Sequence, residues 1–484
     1  MKSYMKTALT VCATTAIALS LAACGSSKPE NEAGTTTPPA GSSDSSNVYA
    51  ENGLPKDQKV TLKVGYFEGG MGREWFDYAV KTFQEKYPNV KLDVTSSPSI
   101  AQVVQTKMAA QDDEDMFDLY SGGIPGGIGN YVAAGKFASQ EDIWDRKPAD
   151  GNGKTLKELF YEGAYESVPR IAGETYSFPI AGSGSGLMFN KTLFEQKGWN
   201  QNPKTWSEFL KLCEDIKASG IIPITFPGMY PDYITNGFSV VKLFELADSK
   251  GTLPAIMDNY NNFKLPYYLA PENVERWNRV YDMGKKGYFP EGLAALNHTQ
   301  SQMQVLQGKA AMVSTGTWVE NEMKSSAPAD FKWGYMAVPF VDSPDQAKWV
   351  QFTPGSGFSI WAAKPELNIK WSKEFVVHLW NLDVQAQIAE KGGMIPLRAD
   401  YTKDPARMAK IQGVNKSFME YVDANKVKMH SAYFNVALTD PAYQKSTKLV
   451  TETVTQIATG KKDPLPMLQE AENFMKTAIE AQKK

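Results

Sequence analysis

The chain is 484 residues long, beyond the size at which one core keeps growing, so it is expected to hold two or more domains or one large interrupted one. Its 42% hydrophobic content is ample for packed cores. The 51 basic and 54 acidic residues leave a formal charge of −3 without a polybasic run, which excludes the electrostatic footprint of a nucleic-acid binder.

At the N-terminus, Lys2 and Lys6 precede an apolar run from Ala8 to Leu21 that Gly25-Ser26-Ser27 ends abruptly. The run is too short to span a bilayer and reads as a secretion signal over residues 1–23. Leu21-Ala22-Ala23-Cys24 resembles the lipobox of bacterial lipoproteins, which implies acylation of Cys24 and a lipid anchor on the extracellular face of the cell membrane. Residues 24–56 are expected to form a linker, because the Ser, Thr, Gly and Pro of Gly25 to Asn47 cannot offset the entropy of ordering. Its root-mean-square reach is about 25 Å.

From Val60 the pattern changes. Val60, Leu62, Val64 and Tyr66 alternate as a strand, and Trp75, Phe76, Ala79, Val80 and Phe83 follow at helical spacing. Pro88-Asn89 stops that helix, and Val90, Leu92 and Val94 alternate again, which completes a right-handed βαβ unit. Ile100 to Ala110 reads as a second helix, Asp112 to Asp115 as a solvated loop and Met116 to Tyr120 as a short strand. Thr155 with Glu158 and Thr205 with Glu208 have capping-box spacing, and Ile222 to Phe226 is a strand candidate. Leu465 to Ile479 reads as a terminal amphipathic helix. Helices alternating with short strands predict α/β layers.

Known chemical motifs are missing. His298, His378 and His430 lie outside metal-ligand spacing of one another and of any cysteine pair. Cys12 leaves with the signal, and Cys213 sits among Trp206, Phe209, Leu210 and Ile216 at helical spacing as a core residue. Gly182, Gly184 and Gly186 alternate with serines but fit neither a nucleophile elbow nor a dinucleotide fingerprint. A glycosidase-like carboxylate pair could lie anywhere in sequence, because separation in space is what diagnoses it. Strands Val60–Tyr66 and Met116–Tyr120 end at Glu68, Ser121 and Gly122, where ligands of open α/β sheets bind.

Four ordered pieces carry a resemblance over nearly all the mature chain. They are Phe178-Pro-Ile-Ala-Gly-Ser-Gly-Ser-Gly-Leu-Met-Phe-Asn-Lys191 with Pro203-Lys-Thr-Trp206 and Glu208; Gly308-Lys-Ala-Ala-Met312 with Gly316-Thr-Trp318; Trp333-Gly-Tyr with Val338-Pro339 and Gly355-Ser-Gly-Phe-Ser-Ile-Trp-Ala362; and Gly392-Gly393 before Pro396. In this order they resemble the extracellular solute-binding proteins of carbohydrate ABC importers, family 1, the maltose-binding-protein-like group. The resemblance implies a periplasmic-binding-protein-like α/β fold, with two lobes joined by a multi-strand hinge around a ligand cleft. Lobe 1 would comprise residues 57–181 plus 355–402, and lobe 2 residues 182–354 plus 403–484. Crossings are expected near Ile180 to Ser183, Phe352 to Gly355 and Asp400.

The implied protein is a monomeric substrate-binding protein without catalytic residue, metal or cofactor. It would hand a monosaccharide or oligosaccharide, with amino sugars among the candidates, to the transmembrane subunits of a permease. Sugar needs stacking rings and planar hydrogen-bonding groups, and position selects them. Trp318 aligns with the family's stacking tryptophan, although loop packing is an alternative. Tyr230 and Asp232 lie in a loop matching a second-lobe aromatic loop, where a plain turn is the other reading. Tyr433 and Phe434 match a further stacking position or belong to core. Glu68 could accept from two hydroxyls. Ser183 stands where maltose-type relatives carry a carboxylate, and Ser356 completes the expected ligand set with Ser121 and Gly122. The Phe67-Glu-Gly-Gly70 turn and the Thr317 to Met323 stretch resemble relatives that take N-acetylglucosamine or chitobiose. A tethered carbohydrate-active enzyme and a scaffold protein stay open as alternatives.

Overall fold

The computed structural model describes residues 47–69, 71–124, 127–161, 164–355, 357–411, 413–436 and 438–482. The signal, Cys24, the tether to residue 46 and Ser356 lie outside the described residues. Within them, no helix is long and apolar enough to cross a membrane. Residues 47–56, counted above in the linker, lie on the folded body. Val48 bridges Pro55, and Tyr49 packs edge-on against Tyr87 while donating to Asn89 Oδ1 at 2.8 Å.

Eleven strands are described: β1 Val60–Phe67, β2 Val90–Ser97, β3 Leu119–Ser121, β4 Ala181–Asn190, β5 Ile222–Thr225, β6 Ala310–Gly316, β7 Trp333–Met336, β8 Lys348–Gly355, β9 Phe358–Ile360, β10 Ile395–Pro396 and β11 Val427–His430. They form two mixed sheets. The smaller has the order β2-β1-β3-β9, with β1 parallel to both neighbours and β9 antiparallel. Helices Glu74–Lys86 and Ile100–Ala110 are its crossovers, as the alternation of periods predicts. The short strand after the acidic loop begins at Leu119 rather than Met116, because Met116 and Phe117 pack into a separate apolar cluster with Ile100 and Val104.

The larger sheet is organised on β4. This strand is buried along all ten residues. One edge pairs with β8 and then β7, and the other with β10 and then β6. The alternating glycines make this possible: a methyl at Gly182 would overlap the Phe352 ring, one at Gly184 the Phe418 ring, and one at Gly186 would lie 2.7 Å from Tyr335 Cε2. The Gly-x-Gly-x-Gly run is thus a flat face on which three rings rest. Its opposite residues, Ser183 and Ser185, pair across to Thr353 and Gln351.

Three segments link the sheets side by side. Phe178 and Phe358 exchange backbone hydrogen bonds at 2.9 and 3.1 Å, and Ile180 N donates to Gly355 O at 3.1 Å before β4 and β8 pair. The third runs through Ile395–Pro396, antiparallel to Ala181–Gly182, while Asp400 follows in the short helix Ala399–Thr402 and binds Arg398. Buried Gln385 clamps the crossing: its Nε2 donates to Ile180 O at 3.0 Å and Leu379 O at 2.8 Å, and its Oε1 accepts from Leu397 N at 2.8 Å. Trp380 Nε1 donates to Pro179 O at 2.9 Å.

Local capping follows the sequence with one variation. Thr155 and Glu158 form a full capping box. Thr205 accepts from Glu208 N, but the Glu208 carboxylate takes Lys204 N instead of the Thr205 amide. Cys213 is buried with Phe209 and Ile216 as expected.

Two histidines are buried in neutral form. His378 Nδ1 lies 3.1 Å from the Asn381 amide nitrogen and Nε2 lies 3.0 Å from Thr82 Oγ1, a donor-then-acceptor pair that suits the Nε2–H tautomer. Burial pushes both His378 and His430 down to about 4 from an ordinary 6.5. The unfolded chain therefore binds these protons first, so stability present above pH 6.5 is lost as pH falls towards 4. Each group accounts for up to about 3 kcal/mol. Urea midpoints measured from pH 7 to 4 should fall, and His378→Gln should flatten that fall; an unchanged slope in the variant would show that His378 is not one of the titrating groups.

Candidate functional site

A cleft of about 480 Å³ opens beyond the carboxyl ends of β1 and β3, where the topology of an open parallel sheet places ligands. The smaller sheet contributes Tyr66, Phe67, Ser121 and the Gly122-Gly123 turn. Trp318, Asn321 and Glu322 face it from the segment after β6, with Tyr233 from the loop after β5. Gly357, Gly392 and Gly393 line it from the crossing region.

Two aromatic rings are set against glycine backbone. A methyl at Gly69 would overlap the Phe67 ring, and one at Gly316 the Trp318 indole. Phe67 is 45% exposed and Trp318 is half-buried, and no other aromatic ring of the described residues packs on either. Each ring therefore has one face on the chain and the other available to the cleft. They come from opposite walls.

Anchoring groups hold this arrangement. Tyr66 stacks on Phe76 at 4.2 Å and donates to Gly72 O at 2.7 Å, which holds the Gly72 backbone close to the end of β1; burial pushes its hydroxyl well up, so it stays a donor. Thr317 N donates to Gly184 O at 2.9 Å, fixing the start of the Trp318 segment to β4. Glu320 accepts from Val414 N at 2.7 Å, and burial raises its carboxyl. Glu322 accepts from Gln302 Nε2 at 2.8 Å. Ser314 Oγ donates to Tyr233 O at 2.6 Å.

Of the expected residues, Ser121, Gly122 and Trp318 come together in this cleft. Glu68 sits between two lining residues with its carboxylate accepting Ser96 Oγ at 2.6 Å. Ser183 is buried in β4 opposite Thr353 and lines no cavity described here. Tyr230 turns outward and stacks on His298 at 4.2 Å, so its loop presents Tyr233 to the cleft instead. Asp232 and Phe434 line a second cavity, and Tyr433 packs 5.9 Å from His430. Phe67 and Tyr233 adjoin the expected Glu68 and Asp232 in the same turn and loop, and Tyr66, Asn321 and Glu322 were missed. The signal for the last two lay in the quoted Thr317 to Met323 stretch, since a Trp318 facing a cleft brings the next helical turn with it. No group of three or more His, Cys, Asp or Glu that could hold a metal occurs among the described residues.

Residues 71–379 match the family of bacterial extracellular solute-binding proteins. The chain is 24% identical over 288 residues to the multiple sugar-binding protein of Streptococcus mutans, covering 59% of this chain and 63% of that relative. It therefore spans less than two thirds of that relative's length. It is 24% identical over 351 residues to the diacetylchitobiose binding protein NgcE of Streptomyces coelicolor, covering 69% and 67% respectively. Among solved structures, a chitin oligosaccharide binding protein aligns with TM-score 0.61 at 20% identity, over 87% of this chain and 99% of the other. Apo RafE from Streptococcus pneumoniae aligns with TM-score 0.63 at 16% identity, over 87% and 98%. This likeness shows the two-lobed α/β periplasmic-binding-protein fold.

The glycine backing of Trp318 is open to test. Gly316→Ala should displace the indole and change the Trp318 contribution to the fluorescence spectrum, taken as the difference from Trp318→Phe in each background. An identical difference spectrum in both backgrounds would mean that the ring does not rest on Gly316.

Proposed function

We propose that this chain, which belongs to the bacterial extracellular solute-binding protein family, captures a neutral oligosaccharide in the cleft between its two sheets and delivers it to an ABC permease. The observation that carries the reading is the pair of glycine-backed rings, Phe67 and Trp318, facing one cleft from opposite walls. A pyranose has apolar C–H faces and a rim of hydroxyls. Rings stack on the faces, while Ser121, Asn321 and Glu322 supply hydrogen-bonding groups for the rim. The names of the relatives, a multiple sugar-binding protein and a diacetylchitobiose binding protein, support sugar as the solute and N-acetylated disaccharide as the first candidate.

Capture works by closure. Residues 57–181 with 355–402 and residues 182–354 with 403–484 move as two bodies about the crossing strands, and a sugar touching both walls favours the closed form by its differential affinity. The closed form is what the permease subunits recognise. Glu68, held by Ser96, joins the hydroxyl acceptors once the walls approach. Cys24 carries acyl chains that keep the protein on the outer face of the membrane.

Calorimetry with diacetylchitobiose, raffinose and mannobiose should give one-to-one binding of at least one sugar, without product after hours of incubation. Trp318→Ala should weaken it at least tenfold, about 1.4 kcal/mol. Binding undiminished in Trp318→Ala refutes the assigned grip, and sugar cleavage refutes the receptor. The anchor has its own check. Fractionation of expressing cells should find the protein with membranes and Cys24→Ser in the soluble fraction, whereas equal partition of both would remove the lipid from the scheme.

A further inference from the structure

A second cavity, of about 390 Å³, lies among the helices of the larger sheet and shares no lining residue with the cleft. Aromatic rings form one wall: Tyr260 stacks on Phe434 at 5.3 Å and on Tyr267 at 5.4 Å. Arg276, from helix Pro271–Lys285, lines the cavity at 9% exposure. Among the described residues no carboxylate pairs with it and no hydrogen bond reaches its guanidinium, and its Nε is sealed from solvent without a partner. Its closest companion is the face of Trp277, 4.9 Å from the guanidinium carbon.

The surroundings do not neutralise this charge. The ionisable groups that act on Arg276 are the hydroxyls of Tyr260, Tyr267 and Tyr268, and burial pushes all three up, so they are uncharged at neutral pH. Burial brings the guanidinium down to about 10, which leaves it cationic. Asp232, the carboxylate lining the same cavity, is exposed and accepts Thr451 Oγ1 at 2.8 Å. A buried cation with no counter-charge is strongly destabilising, whereas a hydrogen-bonded pair offsets much of the desolvation.

We propose that this cavity is a second ligand site, which takes a small oxyanion, a carboxylate or phosphate carried on a ring-bearing body, with Arg276 as its charge partner. A guanidinium offers a planar fork to two oxygens of such a group. Tyr260 and Phe434 give the body a surface to stack on. The site is independent of the cleft, and a neutral sugar there neither requires nor excludes it.

The test uses the whole mature chain, with glucuronate, glucose 6-phosphate and inorganic phosphate as probes and glucose as the neutral control at equal ionic strength. At least one oxyanion should raise Tm and bind one-to-one by calorimetry, and glucose should do neither at this site. Response to the sugar acids alone assigns an organic ligand, and an equal response to inorganic phosphate assigns the free ion. Arg276→Met should weaken oxyanion binding at least tenfold while leaving the Tm of the unliganded protein unchanged or higher, because it removes the uncompensated charge. It should also leave neutral-sugar binding as in the parent, which separates a failure here from a failure of the Trp318 reading. Should Arg276→Met not fold, Arg276→Lys, which keeps the charge and loses the fork, must show the same weakening. Absence of any oxyanion effect, or an equal effect in the variant, overturns the site.

Discussion

Strand β4 is the constraint on which the rest of this molecule depends. Buried along its whole length, it needs partners for its backbone, and it finds them in four strands, two in succession on each edge, and in Thr317 between β10 and β6. Both walls of the cleft are indexed from it. On one side, Ser185 opposes Gly316 and Gly184 O holds Thr317 N, so Trp318 follows at a fixed offset. On the other, the residues just before β4 run through Ile180 to Phe178, which bonds Phe358 beside the lining residue Gly357. The glycines at 182, 184 and 186 are thus structural, since they let Phe352, Phe418 and Tyr335 come close enough to seal the strand.

The cleft and the second cavity differ in electrostatic character, and the difference follows from burial and pairing rather than composition. At the cleft, Glu322 accepts from Gln302, and Glu68, between two lining residues, accepts from Ser96, both neutral donors. In the second cavity a cation faces neutral phenols. Two other buried cations are settled internally: Arg398, fully buried, is held by Asp150 and Asp400, and Lys242 by Glu245 and the Trp349 carbonyl.

Much of the fold was legible because it is written in local period. The alternation at Val60 to Tyr66 and Val90 to Val94, the helical spacing between them and the Thr155 capping box depend on neighbours a few residues apart. Trp318 and the Ser121-Gly122 turn were also readable, the first from its motif and the second from the end of a strand. Tyr230 and Tyr233 show where legibility stops. They stand three residues apart in one loop with similar chemistry, and both pack on His298, nearly seventy residues on, yet only Tyr233 lines the cleft. Phe434 was expected to stack on ligand in the cleft or to join the core, and its place on the second cavity depends on Tyr260 and Phe263, far away in sequence. Arg276 carries no sequence signal at all, because the absence of a counter-charge is a property of three-dimensional surroundings.

The join between the sheets has a mechanical consequence. Three backbones lie edge to edge there, bonded to each other and clamped by Gln385. A ribbon of that width flexes readily across its flat face but resists twisting and in-plane sliding, because either would shear the rungs between its strands. In the proposed closure, such a join would hold the relative movement of the two halves to a single arc, so the same atoms would meet at the end of every swing and a guest would be gauged against one reproducible gap.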